Sequence, residues 1–216
     1  MPRMLFEKTG TAVWVSHLDL MRIFQRAFRR AGLLLKHSQG FTPRAIVSIA
    51  LPLSVGMESQ CELLDFELED GYVPAAEQLN AALPAGIRVL SVYSDERKIK
   101  ELTHLRAHLE LTYDSGVPAG AVEDIRALFA QECLMMDKHS RKGLTSVNIL
   151  PMLCEFRMEQ PDANTLVWDV LVCAQNPSLN PQMLVSALEL YAPQLKPDGV
   201  FCKRMEIYDA EGNVFR

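Results

Sequence analysis

Each half of this 216-residue chain reads strand, helix, strand, strand, helix, strand, which predicts an α+β fold of two tandem ferredoxin-like (βαββαβ) domains. Three observations carry that expectation. Apolar residues switch between a period of two and a period of about 3.6, the alternation starts again after residue 101, and a polar run at 94–101 separates the two rounds. The expected domains are a basic one at 1–94 and an acidic one at 101–216.

The elements follow in order. Residues 3–8 read as a strand and 17–31 as a helix. On a helical wheel Leu20, Phe24, Ala27, Phe28 and Ala31 fall on one side, and Arg22, Arg26, Arg29 and Arg30 on the other. Ser16 followed by Asp19 is a start signal close to a capping box, and Gly32 is a stop signal. Residues 45–51 and 61–68 read as strands, 74–82 as a helix with Pro74 in its first turn, and 87–93 as a last strand. In the second half, 104–112 alternates as a strand and 120–133 is an amphipathic helix. A strand or two falls within 145–159 and another at 166–174. A helix at 181–191 has Asn180 as its cap, and 200–208 closes the round.

Composition narrows the class. Hydrophobic residues make up 49% and charged residues 23%, ordinary values for a globular chain rather than a disordered one. No run approaches the roughly 20 apolar residues that cross a bilayer, and the first residues lack a secretory apolar core. The cysteines Cys61, Cys133, Cys154, Cys173 and Cys202 are dispersed, with no CxxC pair. They read as reduced thiols of a cytoplasmic protein, and their spacing shows no zinc or iron–sulfur ligand set, so no metal is expected.

Charge is the most informative feature. The first 50 residues carry eight cations against Glu7 and Asp19, a net +6, whereas the whole chain carries −5. The remaining 166 residues therefore carry −11. A basic patch gathered in an acidic protein is the footprint of an anion-binding surface.

The residues Ser16-His17-Leu18-Asp19-Leu20-Met21-Arg22, then Arg29-Arg30-Ala31-Gly32-Leu33, then Ser38-Gln39-Gly40-Phe41-Thr42-Pro43-Arg44 resemble the radical-SAM-linked family. This is an uncharacterised bacterial domain family, often fused behind or encoded beside a radical-SAM enzyme with a cobalamin-binding region. The stretch Leu51-Pro52-Leu53-Ser54-Val55-Gly56, with Ser59, Glu62 and Asp65, is similar too. Thr42 stands where the family usually has Asn or His, and Ala45 where a second proline often occurs. The chain has no CxxxCxxC, so it holds no radical-SAM cluster of its own. The resemblance implies a stand-alone accessory domain whose partner enzyme carries the iron–sulfur cluster, SAM and cobalamin, while this chain binds no cofactor.

Three sets of residues compete for a function. Around the loop 36–44, Lys36, His37, Ser38, Gln39, Gly40, Phe41 and Arg44 could hold a phosphate, with backbone N–H groups near Gly40 and a stacking face on Phe41. The bland alternative is a tight loop with Gly40 at positive φ and Phe41 packed inward. The arginine face of Arg22, Arg26, Arg29 and Arg30 reads as a nucleic-acid contact or as solvated surface. His17 and His37 are the candidate general bases, although a histidine next to a helix cap is more often structural. Lys138, His139, Arg141 and Lys142 form a second basic loop. His104 and His108 share a strand face too widely spaced for one metal ion.

The leading expectation is a non-catalytic, cytoplasmic accessory module that binds an anion, RNA above all, and presents it to a radical-SAM enzyme. The competing expectations are a metal-independent RNA-processing enzyme using His17 or His37, and a protein-docking scaffold that binds no nucleic acid.

Overall fold

The computed structural model describes residues 1–140 and 143–216. Arg141 and Lys142, half of the predicted second basic loop, lie outside the described residues. The chain divides into two compact units, Met1–Glu101 with Val214–Arg216, and Leu102–Asn213. The last three residues thus group with the first unit, not with the second half of the sequence. No helix among the described residues is long and apolar enough to cross a membrane.

The first unit contains β1 (Pro2–Lys8), α1 (His17–Arg30), β2 (Val47–Ile49), β3 (Met57–Phe66), α2 (Ala76–Asn80) and β4 (Ile87–Ser94). Its strands lie side by side in the order β4, β1, β3, β2, and every pairing is antiparallel. The helix α1 buries Leu20, Phe24, Ala27 and Phe28. Phe24 meets Phe6 of β1 edge-on at 4.8 Å between ring centroids, and Phe28 meets Phe66 of β3 at 4.9 Å. Aromatic pairs at that separation add to the gain from simple burial. Gly32, at φ +74°, turns the chain off the helix, and the Leu33 N–H returns to the Phe28 carbonyl at 2.9 Å.

Two elements of this unit differ from expectation. β2 is three residues long instead of seven. A tight turn, Val47 N–H to Ala45 O at 3.0 Å, bends the chain just before it. α2 starts at Ala76, leaving Pro74 ahead of its first turn, and ends at Asn80. There the Asn80 side chain grips Val89 of β4, donating to its carbonyl at 2.9 Å and accepting its N–H at 2.8 Å.

The second unit contains β5 (His104–Thr112), α3 (Ala121–Phe129), β6 (Met135–Ser140), β7 (Gly143–Asn148), β8 (Leu153–Glu159), β9 (Thr165–Cys173), α4 (Gln182–Tyr191) and β10 (Gly199–Tyr208). Its main strands run β10, β5, β9, β8, again antiparallel throughout, while β6 and β7 pair only with each other. Trp168 is fully buried, with Phe129 and Phe156 at 5.7 and 5.4 Å. The helix predicted over 120–133 stops at Phe129, since Asn148 takes the Glu132 carbonyl at 3.2 Å and the Leu134 N–H at 2.9 Å. Asn180 does accept the Gln182 N–H at 3.1 Å, at the start of α4.

The second basic stretch is not a solvated loop in its described part. Lys138 and His139 lie on β6, and Lys138 Nζ donates to the Ser178 carbonyl at 2.8 Å and hydroxyl at 3.0 Å. That ammonium is held by its own fold.

The N-terminal cations are not all available at the surface. Arg3 and Lys8, two of the eight N-terminal cations, are buried. Lys8 Nζ donates to the carbonyls of Val13 and Val15 at 3.1 and 2.9 Å. Arg3 forks onto Asp65 at 2.6 and 3.1 Å and reaches Asp95 at 2.8 Å. Arg97 closes on Asp95 at 2.9 Å, and both guanidiniums lie over the Phe215 ring, at 5.4 and 4.6 Å. The polar run 94–101 is therefore anchored to the first unit rather than free. Burial opposes ionisation of the Asp95 carboxyl, but hydrogen bonds from Arg97 and the charges of Arg3 and Arg97 outweigh it and hold its pKa below the usual value.

Removing one member of this buried network strands the others. Arg3→Met is expected to cost about 3–5 kcal/mol, read by urea unfolding at neutral pH. Asp95 also ties stability to pH. Its folded pKa is depressed, so its contribution is complete above the ordinary carboxylate pKa and is lost as pH falls through the lower folded value. The stability gap between the unmodified protein and Asp95→Asn should accordingly close on acidification; a gap that stays constant would contradict the assignment.

Candidate anion-binding site

The site begins with α1. Ser16 caps it, accepting the Asp19 N–H at 3.2 Å and donating its hydroxyl to the Asp19 carboxylate at 2.8 Å. Arg22 reaches the other Asp19 oxygen at 2.8 Å. The Ser16 bond first, then Arg22, hold the Asp19 carboxyl below its usual pKa. With its apolar face on the sheet, α1 turns Arg22, Arg26, Arg29 and Arg30 outward, and all four are exposed. Arg22 has Asp19 as an exposed partner, a pairing of little strength in water. Among the described residues, no carboxylate lies within ion-pair distance of Arg26, Arg29 or Arg30.

The loop after α1 is held at its base. Leu33 and Leu35 are buried, and Leu35 bridges Leu68. The Lys36 N–H donates to the Glu67 carbonyl at 2.9 Å, and the Ile46 N–H to the Lys36 carbonyl at 2.7 Å. The neck closes where the Ser38 N–H meets the Arg44 carbonyl at 2.8 Å and the Arg44 N–H meets Ser38 Oγ at 3.1 Å. Two backbone donors expected to face a phosphate are therefore used inside the loop. Gly40 takes φ +139°, which a side chain would resist. Gln39, Gly40 and Arg44 are exposed, and Phe41 is 107% exposed, so it does not pack inward. Lys36 is exposed but pairs with Glu67 at 3.0 Å, which removes it from the free cations.

The predicted residues do not converge into a single pocket. Arg29 and His37 line one groove of about 360 Å³ together with Gln25, Leu34, Ala45 and Glu69. Arg30 instead lines another, of about 410 Å³, with Gln78 and Leu83. Arg22 and Arg26 lie further back along the helix. His17 stands at the opposite end of α1, about 20 Å away at 1.5 Å per residue. It is half-buried, and its enclosed Nδ1 has no hydrogen-bond partner among the described residues. The groove at Arg29 is amphoteric in its lining: Arg29, His37 and the Glu69 carboxylate share it with Leu33, Leu34 and Leu35.

Sequence reasoning missed another group altogether. His104, Cys154 and Cys173 place one donor atom each within 4.8 Å of one another. Their sequence separations carry no signal, because three different strands bring them together.

Fold and site define an α+β protein whose first unit presents a cationic helix face beside an exposed aromatic loop. The family described as "Uncharacterized protein conserved in bacteria (DUF2344)" matches residues 2–181, and the chain belongs to it. No curated protein matches the chain. Solved structures similar to it include "Crystal Structure of a Cbf5-Nop10-Gar1 Complex", at 9% identity and a TM-score of 0.48, covering 95% of this chain and 48% of that one. Another is "Structure of H/ACA RNP bound to a substrate RNA containing 2'-deoxyuridine", at 8% identity and a TM-score of 0.48, covering 94% of this chain and 46% of that one. A third is "Crystal structure of the archaeal box H/ACA sRNP Nop10-Cbf5 complex", at 10% identity and a TM-score of 0.46, covering 94% and 46%. The chain spans about half the length of these matched chains. With TM-scores below 0.5, the likenesses bear on neither fold nor function.

Because Phe41 buries nothing, Phe41→Ala is expected to change unfolding stability by less than about 0.5 kcal/mol. A larger loss in chemical denaturation would mean that the ring packs in solution and is not available for stacking.

Proposed function

We propose that this chain is a non-catalytic accessory module of two tandem ferredoxin-like domains that binds RNA and presents it to a radical-SAM enzyme. The single observation that carries the RNA reading is the exposed arginine face of α1, where Arg26, Arg29 and Arg30 make no ion pair among the described residues, followed in the chain by a fully exposed Phe41. Guanidiniums neutralise phosphates, and an exposed ring stacks on an unpaired base. The amphoteric groove fits the same ligand, since Glu69 can accept from a base amine while Arg29 and His37 face a phosphate. The antiparallel order β4, β1, β3, β2 and its counterpart β10, β5, β9, β8 support the ferredoxin-like assignment.

The partner enzyme is inferred from the family resemblance, and it would carry the cluster, SAM and cobalamin. A cytoplasmic location accords with free thiols. His17 and His37 stand at opposite ends of α1, so in the alternative RNA-processing enzyme only one of them could serve as base at a given phosphate.

The test is binding of single-stranded RNA across a salt series. Arg29→Glu with Arg30→Glu should weaken affinity at least tenfold and flatten the salt dependence, each lost phosphate contact lowering the slope by about 0.7. Unchanged affinity and slope in the folded double variant would remove the proposal.

A further inference from the structure

We infer that His104, Cys154 and Cys173 form a binding site for a zinc-class divalent cation on the second unit. The site is independent of the RNA reading. His104 and Cys173 are directly paired residues of neighbouring strands β5 and β9. Cys154 lies in β8, where the register against β9 shifts between Leu153 and Glu155. An irregularity of that kind re-aims a side chain. One donor atom from each residue then lies within 4.8 Å of the other two. Tetrahedral bonds of about 2.3 Å to sulfur place two thiolates about 3.8 Å apart, so small side-chain rotations complete the geometry.

The donor chemistry selects the ion. Two thiolates and one imidazole suit zinc far better than magnesium or calcium, which prefer oxygen. The imidazole is also oriented from behind. His104 Nδ1 lies 2.9 Å from Thr103 Oγ1, whose hydroxyl is 3.5 Å from the Tyr208 carbonyl. If that hydroxyl donates to the carbonyl, its oxygen accepts Nδ1–H, leaving Nε2 as the metal-binding nitrogen. A hydrogen bond behind the ring is the usual support of a ligating histidine.

Access is compatible with binding. Cys154 is exposed, and His104 and Cys173 are half-buried, so an ion can enter from solvent. His104 also lines a cavity of about 340 Å³ with Arg106, Glu155, Leu171, Tyr208 and Glu211. The nearby Arg106 charge is matched by Glu155 at 3.0 Å. Three protein ligands leave a fourth position for water or a small ligand, the arrangement of catalytic rather than structural zinc sites.

The experiment is calorimetric titration of the reduced, EDTA-stripped and desalted full chain with zinc chloride, repeated with cobalt chloride under absorbance detection. About one equivalent should bind, with a thiolate-to-cobalt charge-transfer band in the near ultraviolet. Cys154→Ser, Cys173→Ser and His104→Gln should each abolish stoichiometric binding, while Cys133→Ser should retain it. Thr103→Val should weaken it about tenfold. A readout that needs no variant is alkylation of Cys154 and Cys173, which zinc should slow and magnesium should not. Absence of saturable zinc binding overturns the inference, as does binding that persists in Cys154→Ser with Cys173→Ser.

Discussion

The arrangement of the first unit depends on α1 having only one face that can be buried. Phe24 and Phe28 dock on Phe6 and Phe66, and a large-to-small change at such a core position costs about 3–5 kcal/mol. At 100° per residue, that docking leaves Arg22, Arg26, Arg29 and Arg30 no direction but solvent. The cationic face is therefore held by hydrophobic packing on the opposite side of the helix. The guanidiniums need no contacts of their own to be presented. The loop that follows inherits its position the same way, through buried Leu33 and Leu35.

Identical side chains serve opposite purposes depending on depth. Arg3 is enclosed by Asp65, Asp95 and Phe215, whereas Arg29 and Arg30 stand in water. A guanidinium inside the protein must be paired, because an isolated buried charge is too costly. One in water keeps its interaction strength for a ligand. Counting cations along the first 50 residues mixes these two kinds. The patch is smaller than its formal charge, since Arg3 and Lys8 are consumed internally and Lys36 is matched by Glu67.

The two units share a strand order but not a surface chemistry. Helix arginines dominate the first. On the second, the outward side of β5 and β9 carries His104, His108, Asp169 and Cys173, with His108 3.0 Å from Asp169. One strand order thus carries two unrelated sets of surface side chains, because it constrains the core and leaves outward positions free.

The amino-acid sequence alone determined the α+β class, the order of strands and helices in the first half, the outward arginines and the cap at Ser16; in the second half it missed β6, which it read as part of a basic loop. Each feature it determined follows from local periodicity or from contacts a few residues apart, which a linear text preserves. Element ends were less legible: the turn at Ala45–Val47 shortens β2, and α2 ends where Asn80 reaches Val89, nine residues on. Tertiary structure alone decided that Arg29 and Arg30 line different grooves, that Glu69 shares the groove of Arg29, and that Phe41 is exposed. It alone brought His104, Cys154 and Cys173 together, because cross-strand register joins residues up to 69 positions apart, from His104 to Cys173. No spacing along the chain encodes that register; it emerges only when the strands pair.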